Sequence, residues 1–163
     1  MAANSLQDLY VHKLQDLYSA EDQIAKALPK MIGKASNPEL RRGFEMHLKQ
    51  TEQQRSQVEQ LLQSIGEKAG KESCKGMEGI ITENEKVMKM VSDDDALDAA
   101  LIAGAQAVEH YEIAGYGTAK TWARQLGREQ DARVLDQILS QEKQTDELLT
   151  QVAESMVNAQ AAR

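Results

Sequence analysis

Carboxylates on otherwise apolar helical faces carry the chemical signal in this sequence. Glu21 falls at helical spacing among leucines and an isoleucine, and Glu142 falls in a similar stripe near the other end of the chain. Residues three and four apart share one side of a helix, so both side chains are expected to point inward. Asp146 lies one turn beyond Glu142 on the same side.

Two further helical segments carry polar groups on or beside their apolar faces. Glu109 and Glu112 are three residues apart beside an apolar track, so both carboxylates can project toward one point. In an earlier segment, His47 and Thr51 interrupt an inner face made mostly of leucine, valine and phenylalanine. Four separate helical segments therefore each place polar atoms toward the interior.

A cluster of inward carboxylates needs positive charge to balance it. Buried unpaired carboxylates cost several kcal/mol each or take up protons, and clustered ones also repel one another. His47 is the only inward basic residue that the spacing reveals. Two metal ions would neutralise the cluster, and oxygen donors with one imidazole suit iron, or else manganese, better than zinc or copper(I). A buried salt-bridge network is the structural alternative.

Helix-forming residues dominate the composition, with aromatic residues at 4%. Glycine, proline and capping residues divide the chain into four long helices and one short one. The predicted helices span residues 4–32, 38–65, 75–91, 95–126 and 128–158. The sequence is therefore predicted to be all-α.

The helix boundaries suggest how the helices are connected. Gly33 is expected to end the first helix in a left-handed conformation, and Asn37 with Pro38 to begin the second. Gly127 separates the last two helices. Tight turns there make two antiparallel hairpins, and residues 66–94 form a long crossover that contains the short helix. This is the connectivity of a ferritin-like four-helix bundle.

The polar interruptions occur at matching depths in the two hairpins. Counting back from the first turn places Glu21 opposite the segment from His47 to Thr51. Counting from the second turn places Glu112 opposite Glu142. The sequence therefore predicts that the polar groups of both hairpins meet at one level of the bundle.

Bulk properties limit the remaining classes of function. A chain of 163 residues suits a single domain, taken here as residues 1–163. The net charge of −7 opposes binding to nucleic acid. The sequence has no apolar run long enough for a membrane span, and its first residues are not expected to act as a signal peptide. Its single cysteine, Cys74, allows no internal disulfide. A cytoplasmic protein is expected.

Four segments together resemble the bacterial YciE/YciF stress-protein family. They run from Asp16 to Glu21, from His47 to Thr51, from Val108 to Thr118 and from Glu142 to Asp146. The resemblance covers about residues 5–155. It implies a ferritin-like, rubrerythrin-related bundle with a two-metal centre, commonly a homodimer, and a role in stress physiology.

The resemblance also implies roles for individual residues. Glu21 corresponds to a terminal ligand, Glu109 and Glu112 to the pair on the third long helix, and Glu142 to the carboxylate on the fourth. Ferritins and rubrerythrins carry Glu-x-x-His on the second helix. This sequence instead has His47 followed by Gln50, and Asp146 stands where a histidine is usual.

Three functions follow as hypotheses. The first is redox chemistry with oxygen or peroxide at two iron ions, with Tyr18, Tyr111 and Tyr116 close to the centre. The second is iron binding or storage without turnover. The third is a structural helical bundle or interaction module that holds no metal and whose acidic side chains are held by salt bridges or protons. His47, Asp146 and the four glutamates are the predicted ligands under both metal hypotheses.

Overall fold

Two long helical hairpins make up most of the chain. The computed structural model describes residues 3–163, so Met1 and Ala2 of the predicted domain lie outside the described part. The main helices are α1 (Leu6–Lys34), α2 (Pro38–Ser64), α3 (Lys75–Met90), α4 (Asp94–Gln125) and α5 (Glu129–Val152). Helices α1 and α2 pack as one hairpin and α4 and α5 as the other, with α1 against α4 and α2 against α5. The predicted all-α, ferritin-like fold with a long crossover is confirmed.

Side-chain caps set the N-termini of four of the five main helices within residues 3–163. The Asn37 side chain accepts hydrogen bonds from the Glu39 and Leu40 amides at 2.9 and 3.1 Å, and Pro38 occupies the first turn of α2. Gly127 has φ of +72° between α4 and α5, as its predicted role requires. The prediction for Gly33 is wrong, since α1 continues to Lys34 and ends without a residue of positive φ.

Asp98 fixes the turn between α1 and α2 onto α4. This buried carboxylate accepts hydrogen bonds from the Ser36 amide at 2.8 Å, the Ser36 hydroxyl at 2.6 Å and the Asn37 amide at 2.8 Å. These bonds stabilise an extended exit from α1, so a left-handed glycine is not needed there. The contact also links the two hairpins at one end of the bundle.

The crossover helix α3 packs against α4 and α1. The Asn84 side chain of α3 donates to the carbonyl oxygen of Gly104 at 3.1 Å. A Cβ atom at position 104 would lie only 2.7 Å from that side chain, so glycine permits the close approach.

The C-terminal segment departs from the predicted continuous helix. Regular α-helix ends at Val152, a wide π-helical turn follows at Ala153–Val157, and a short helix α6 spans Asn158–Ala161. Within residues 3–163, no helix is both long and apolar enough to cross a bilayer.

The apolar core falls into two clusters, one toward each end of the bundle. The first includes Ile24, Phe44 and Val108, and the second includes Leu17 and Ile138. In each of the four long helices, buried polar residues lie at the boundary between the residues that belong to the first cluster and those that belong to the second. This polar layer is where the predicted site residues lie.

Candidate metal centre

The four long helices together supply five buried ligand-type side chains. Helix α1 supplies Glu21, α2 supplies His47, α4 supplies Glu109 and Glu112, and α5 supplies Glu142. The four glutamates are 0% exposed and His47 is 4% exposed. The placement of these side chains in the interior agrees with the sequence analysis.

These side chains form two groups that share one member. The first group is His47, Glu109 and Glu142, and the second is Glu21, Glu112 and Glu142. Within each group, one potential ligand atom of every residue lies within 4.8 Å of the others. Glu142 therefore stands between two adjacent positions, as a bridging carboxylate does in a two-metal centre.

Each group draws on both hairpins. In the first group, His47 comes from the α1–α2 hairpin, whereas Glu109 and Glu142 come from the α4–α5 hairpin. In the second group, Glu21 is the contribution of the α1–α2 hairpin. The arrangement therefore exists only when the two hairpins are packed together.

Most of the carboxylate oxygens have no hydrogen-bond partner. Both oxygens of Glu109, both of Glu112, and one each of Glu21 and Glu142 are buried without a partner among the described residues. Six of the eight oxygens of these glutamates are thus unsatisfied. Buried polar groups are normally hydrogen-bonded, so these unpaired oxygens are free to ligate a cation.

His47 and Glu109 approach each other without forming a hydrogen bond. Nε2 of His47 lies 3.1 Å from Oε1 of Glu109, yet that oxygen counts among the unsatisfied atoms because the alignment is poor. Two donors that coordinate one ion at about 2.1 Å each, at a right angle, would be about 3 Å apart. The geometry therefore fits two atoms directed at a common point.

Burial controls the protonation of the cluster. It raises the pKa of Glu21, Glu109 and Glu112 well above the ordinary range, with a further contribution from their mutual repulsion and from Glu142. Burial likewise raises the pKa of Glu142 and lowers the pKa of His47 to about 4. Near neutral pH the metal-free cluster is therefore mostly uncharged, and the contact between His47 and Glu109 is not an ion pair.

The described part of the chain has no buried cationic side chain that could pair with these glutamates. The buried polar residues of 3–163 include no lysine or arginine. The salt-bridge network that the sequence left open as an alternative is therefore not formed around these glutamates. Bound metal ions would satisfy both the charge and the unpaired oxygens, and the donor set fits iron or manganese.

Three neighbouring side chains support or adjoin the ligand groups. The Tyr116 hydroxyl donates a short hydrogen bond to Glu21, and the Gln54 amide donates one to Glu142. The Thr51 hydroxyl is fully buried and has no partner among the described residues. Sequence reasoning missed Gln54, although it lies three residues after Thr51 and seven after His47 on the same inner face.

The structure does not bring Asp146 into the cluster. Its carboxylate accepts a hydrogen bond from Gln106 Nε2 at 3.1 Å and lies 3.1 Å from Nε2 of His110. His110 is largely exposed. Polar partners on the outer side of α4 therefore hold Asp146 away from Glu142, one turn from the site.

The three tyrosines predicted near the centre have different surroundings. Tyr116 contacts Glu21, but the Tyr111 hydroxyl bonds to Asp16 at 3.1 Å and lies 3.0 Å from the Cys74 sulfur. Tyr18 is partly buried against the apolar cluster at the other end of the bundle. Cys74, the single cysteine of the chain, is buried and caps the N-terminus of α3.

Fold and site together define an all-α, ferritin-like bundle with a buried carboxylate–histidine cluster at mid-height. Residues 5–162 match the family described as "Domain of unknown function (DUF892)", and the chain belongs to that family. The chain is 41% identical over 162 residues to Protein YciF of Escherichia coli (strain K12). The aligned region covers 99% of this chain and 98% of that protein. The resemblance to the YciE/YciF family is thereby confirmed.

Solved structures show the same architecture. The crystal structure of the E. coli stress protein YciF matches with a TM-score of 0.91 and 41% identity, over 96% of this chain and 99% of that one. YcfI of Rhodopseudomonas palustris, described as a candidate structural protein, matches with a TM-score of 0.89 and 42% identity, over 92% of this chain and 96% of that one.

Proposed function

We propose that this chain holds two iron ions in the bundle core and uses them in redox chemistry with dioxygen or peroxide. The observation that carries the proposal is that Glu142 belongs to two adjacent ligand groups whose carboxylate oxygens are mostly unpaired. A structural bundle that held no ion would have to bury these carboxyl groups together in protonated form, and burying several polar groups with incomplete hydrogen bonding is costly.

The two positions would differ in their donors. His47, Glu109 and Glu142 would hold one ion, and Glu21, Glu112 and Glu142 would hold the other. The predicted ligand Asp146 is left out of both, because it is engaged with Gln106 and His110. Manganese is the alternative metal, since it accepts the same oxygen-rich set.

The iron ions, when bound, would supply the electrons that reduce oxygen or peroxide. The residues of the chain would orient the ligands and exclude bulk water. Tyr116 and Gln54 orient Glu21 and Glu142 through hydrogen bonds, as outer residues commonly do at metal sites. Apolar residues such as Val108 and Ile138 on either side of the polar layer limit access of bulk water.

Metal analysis tests the proposal most directly. Protein purified without chelators should contain close to two ions per chain, and the double variant Glu21→Ala, Glu112→Ala should lose them. The matched control is Glu45→Ala, Glu52→Ala, which removes two exposed glutamates of α2 and should leave metal content unchanged. Anaerobic iron(II) loading followed by oxygen or peroxide should then give a metal-dependent absorbance change.

The two alternative functions give different results in the same experiments. Iron binding without turnover predicts full metal content and no absorbance change beyond slow autoxidation. A structural role, which the description of the R. palustris relative suggests for that protein, predicts equal metal content in the wild type and both double variants. Homodimer formation, a cytoplasmic location and a role of this chain in stress physiology remain predictions, and sedimentation tests the first.

A further inference from the structure

Two apolar pockets reach the buried cluster, and both reach it at the same side. One pocket is bounded by α1, α3 and α4, and the other lies between α2 and α5. His47, Ala105 and Glu109 line both of them, whereas Glu21, Glu112 and Glu142 line neither. The ligand group that contains His47 is therefore the accessible half of the centre.

The other half of the centre is closed by packing. Tyr116 is fully buried and covers Glu21 with its hydrogen bond. On the adjacent part of α4, Leu17 fills the space beside Gly115, where an added Cβ atom would lie 2.8 Å from the leucine side chain. A small molecule that enters the bundle would consequently meet the His47 side first.

The two pockets differ at their outer ends. The pocket against α3 is lined by both partners of the ion pair between Lys30 and Glu85, which are 3.0 Å apart and link α1 to α3. The pocket between α2 and α5 has Met46 and Leu148 at its mouth, which are 49% and 47% exposed. These are among the few large apolar side chains exposed on the described surface, so the α2–α5 pocket has an open, apolar entrance.

Size and lining restrict what the α2–α5 pocket can admit. Its cavity volume is about 40 Å³, and a single water needs about 10–15 Å³. Its walls are mostly apolar and include Leu40, Phe44, Leu149 and Val152. Such walls penalise ions and molecules that need several hydrogen bonds, but they accept small apolar gases.

We propose that the α2–α5 pocket is the route by which dioxygen reaches the His47–Glu109 side of the centre. The inference rests on the proposed function, because a path for dioxygen matters only where a redox centre receives it. Dioxygen is a better fit than peroxide, since the walls offer a peroxide few hydrogen-bond partners. The α2–α5 pocket is a better route than the pocket against α3, because the Lys30–Glu85 ion pair lines the latter.

The first experiment uses metal-free protein, so its outcome does not depend on metal binding. Dissolved dioxygen is paramagnetic and enhances the relaxation of methyl groups that it approaches. We expect the enhancement at Leu149 and Met46 to exceed that at Ile81 and Met88, which line the other pocket. Stronger enhancement at Ile81 and Met88 would overturn the proposal.

Gly43 allows the pocket to be filled with little disturbance. It lines the pocket on α2, and a Cβ atom there would meet no atom within 4 Å. In Gly43→Leu the dioxygen enhancement at Leu149 should fall about tenfold, because the side chain occupies the cavity. Gly43→Ala should give a smaller fall and keeps the test valid if the leucine variant fails to fold.

Gly79→Leu is the matched control. Gly79 also lies in the second turn of a helix, has no atom within 4 Å of an added Cβ, and lines neither pocket. It should leave the enhancement unchanged. An equal loss in the Gly79 and Gly43 variants, or no loss in either Gly43 variant, would contradict the assigned route even if metal binding is normal.

Discussion

The side-chain amide of Gln54 donates a hydrogen bond to Oε1 of Glu142, the one carboxylate that belongs to both ligand groups. The same amide nitrogen also donates to Gln141 at 2.9 Å. Gln54 is 1% exposed, so neighbouring side chains restrict its rotamer. The orientation of the shared carboxylate therefore depends on a residue of the opposite hairpin that is not itself one of the ligands.

Gln54→Leu tests this dependence. The substitution removes the donor and leaves Glu142 free to rotate, so we expect metal affinity to fall by about 10- to 100-fold, the usual effect of losing an outer partner. Competition with a metal-sensitive dye measures the change. Gln53→Leu, one residue earlier and exposed, is the control. Equal affinities in the two variants would show that Glu142 needs no support from α2.

Substitution of the shared carboxylate should differ from substitution of an unshared one. Glu142→Gln removes a ligand from both groups, whereas Glu21→Gln removes one from a single group. We expect the Glu142 variant to lose both ions and the Glu21 variant to retain about one ion per chain. Equilibrium dialysis with elemental analysis gives the stoichiometry. Similar stoichiometries would argue against a bridging role.

Metal affinity should rise with pH. Burial and mutual repulsion raise the pKa of Glu109 and its neighbours, so the metal-free protein holds protons that an ion must displace. The pKa of His47 is lowered to about 4, so it is neutral at pH 7 and releases none. Calorimetry in buffers of different ionisation enthalpy should show net proton release. Binding without release at pH 7 would mean that the carboxylates are already ionised.

The same shifts predict how pH affects the metal-free fold. The folded state binds more protons than the unfolded state wherever a glutamate pKa is raised, so its free energy of unfolding should fall as pH rises from about 4.5 to 8. His47 opposes this trend below its ordinary pKa of 6.5, because its folded-state pKa is lowered. Urea unfolding of metal-free protein measures the balance, and added metal should remove most of the decline.

Tyr116→Phe should weaken the closed side of the centre. Loss of the hydroxyl leaves another buried oxygen of Glu21 without a donor, so we expect the metal-free protein to lose about 1–3 kcal/mol of stability. Tyr18→Phe is the control, since its hydroxyl makes no hydrogen bond within residues 3–163. If the Tyr116 variant unfolds at the same urea concentration as wild type, Glu21 has another partner.

Asp98→Ala tests the contact that joins the hairpins away from the centre. It removes the acceptor of three hydrogen bonds from Ser36 and Asn37 and should cost about 3 kcal/mol. Asp95→Ala, exposed in the first turn of the same helix, should cost less than about 1 kcal/mol. Thermal unfolding of both proteins gives the comparison, and equal losses would remove the special role of Asp98.

Local signals explain why most of the fold could be predicted. Asn37, Pro38 and Gly127 act through their own backbone chemistry, so the helices they bound begin or end within two residues of prediction. Gly33 was misjudged because Asp98, sixty-five residues away, fixes the turn. The π-turn at Ala153–Val157 has no local signal, because its residues also suit an α-helix.

The site could be predicted where a charge on an apolar face made it conspicuous. Glu21 and Glu142 lie within their apolar stripes and Glu112 lies close to one, and a buried carboxylate has few explanations. Asp146 was predicted as a ligand, but a residue at the border of a stripe turns toward whichever partner the neighbouring helix offers, here Gln106 and His110. Gln54 was missed because a neutral amide is unremarkable until its acceptor is known.

Each ligand group draws on both hairpins, and residues 65–93 are the connection between those hairpins. An ion bound in either group would therefore hold the first half of the polypeptide against the second, independently of the peptide chain that connects them. If the connection were cut by a protease, the two fragments should stay associated while the centre is loaded and separate when a chelator is added.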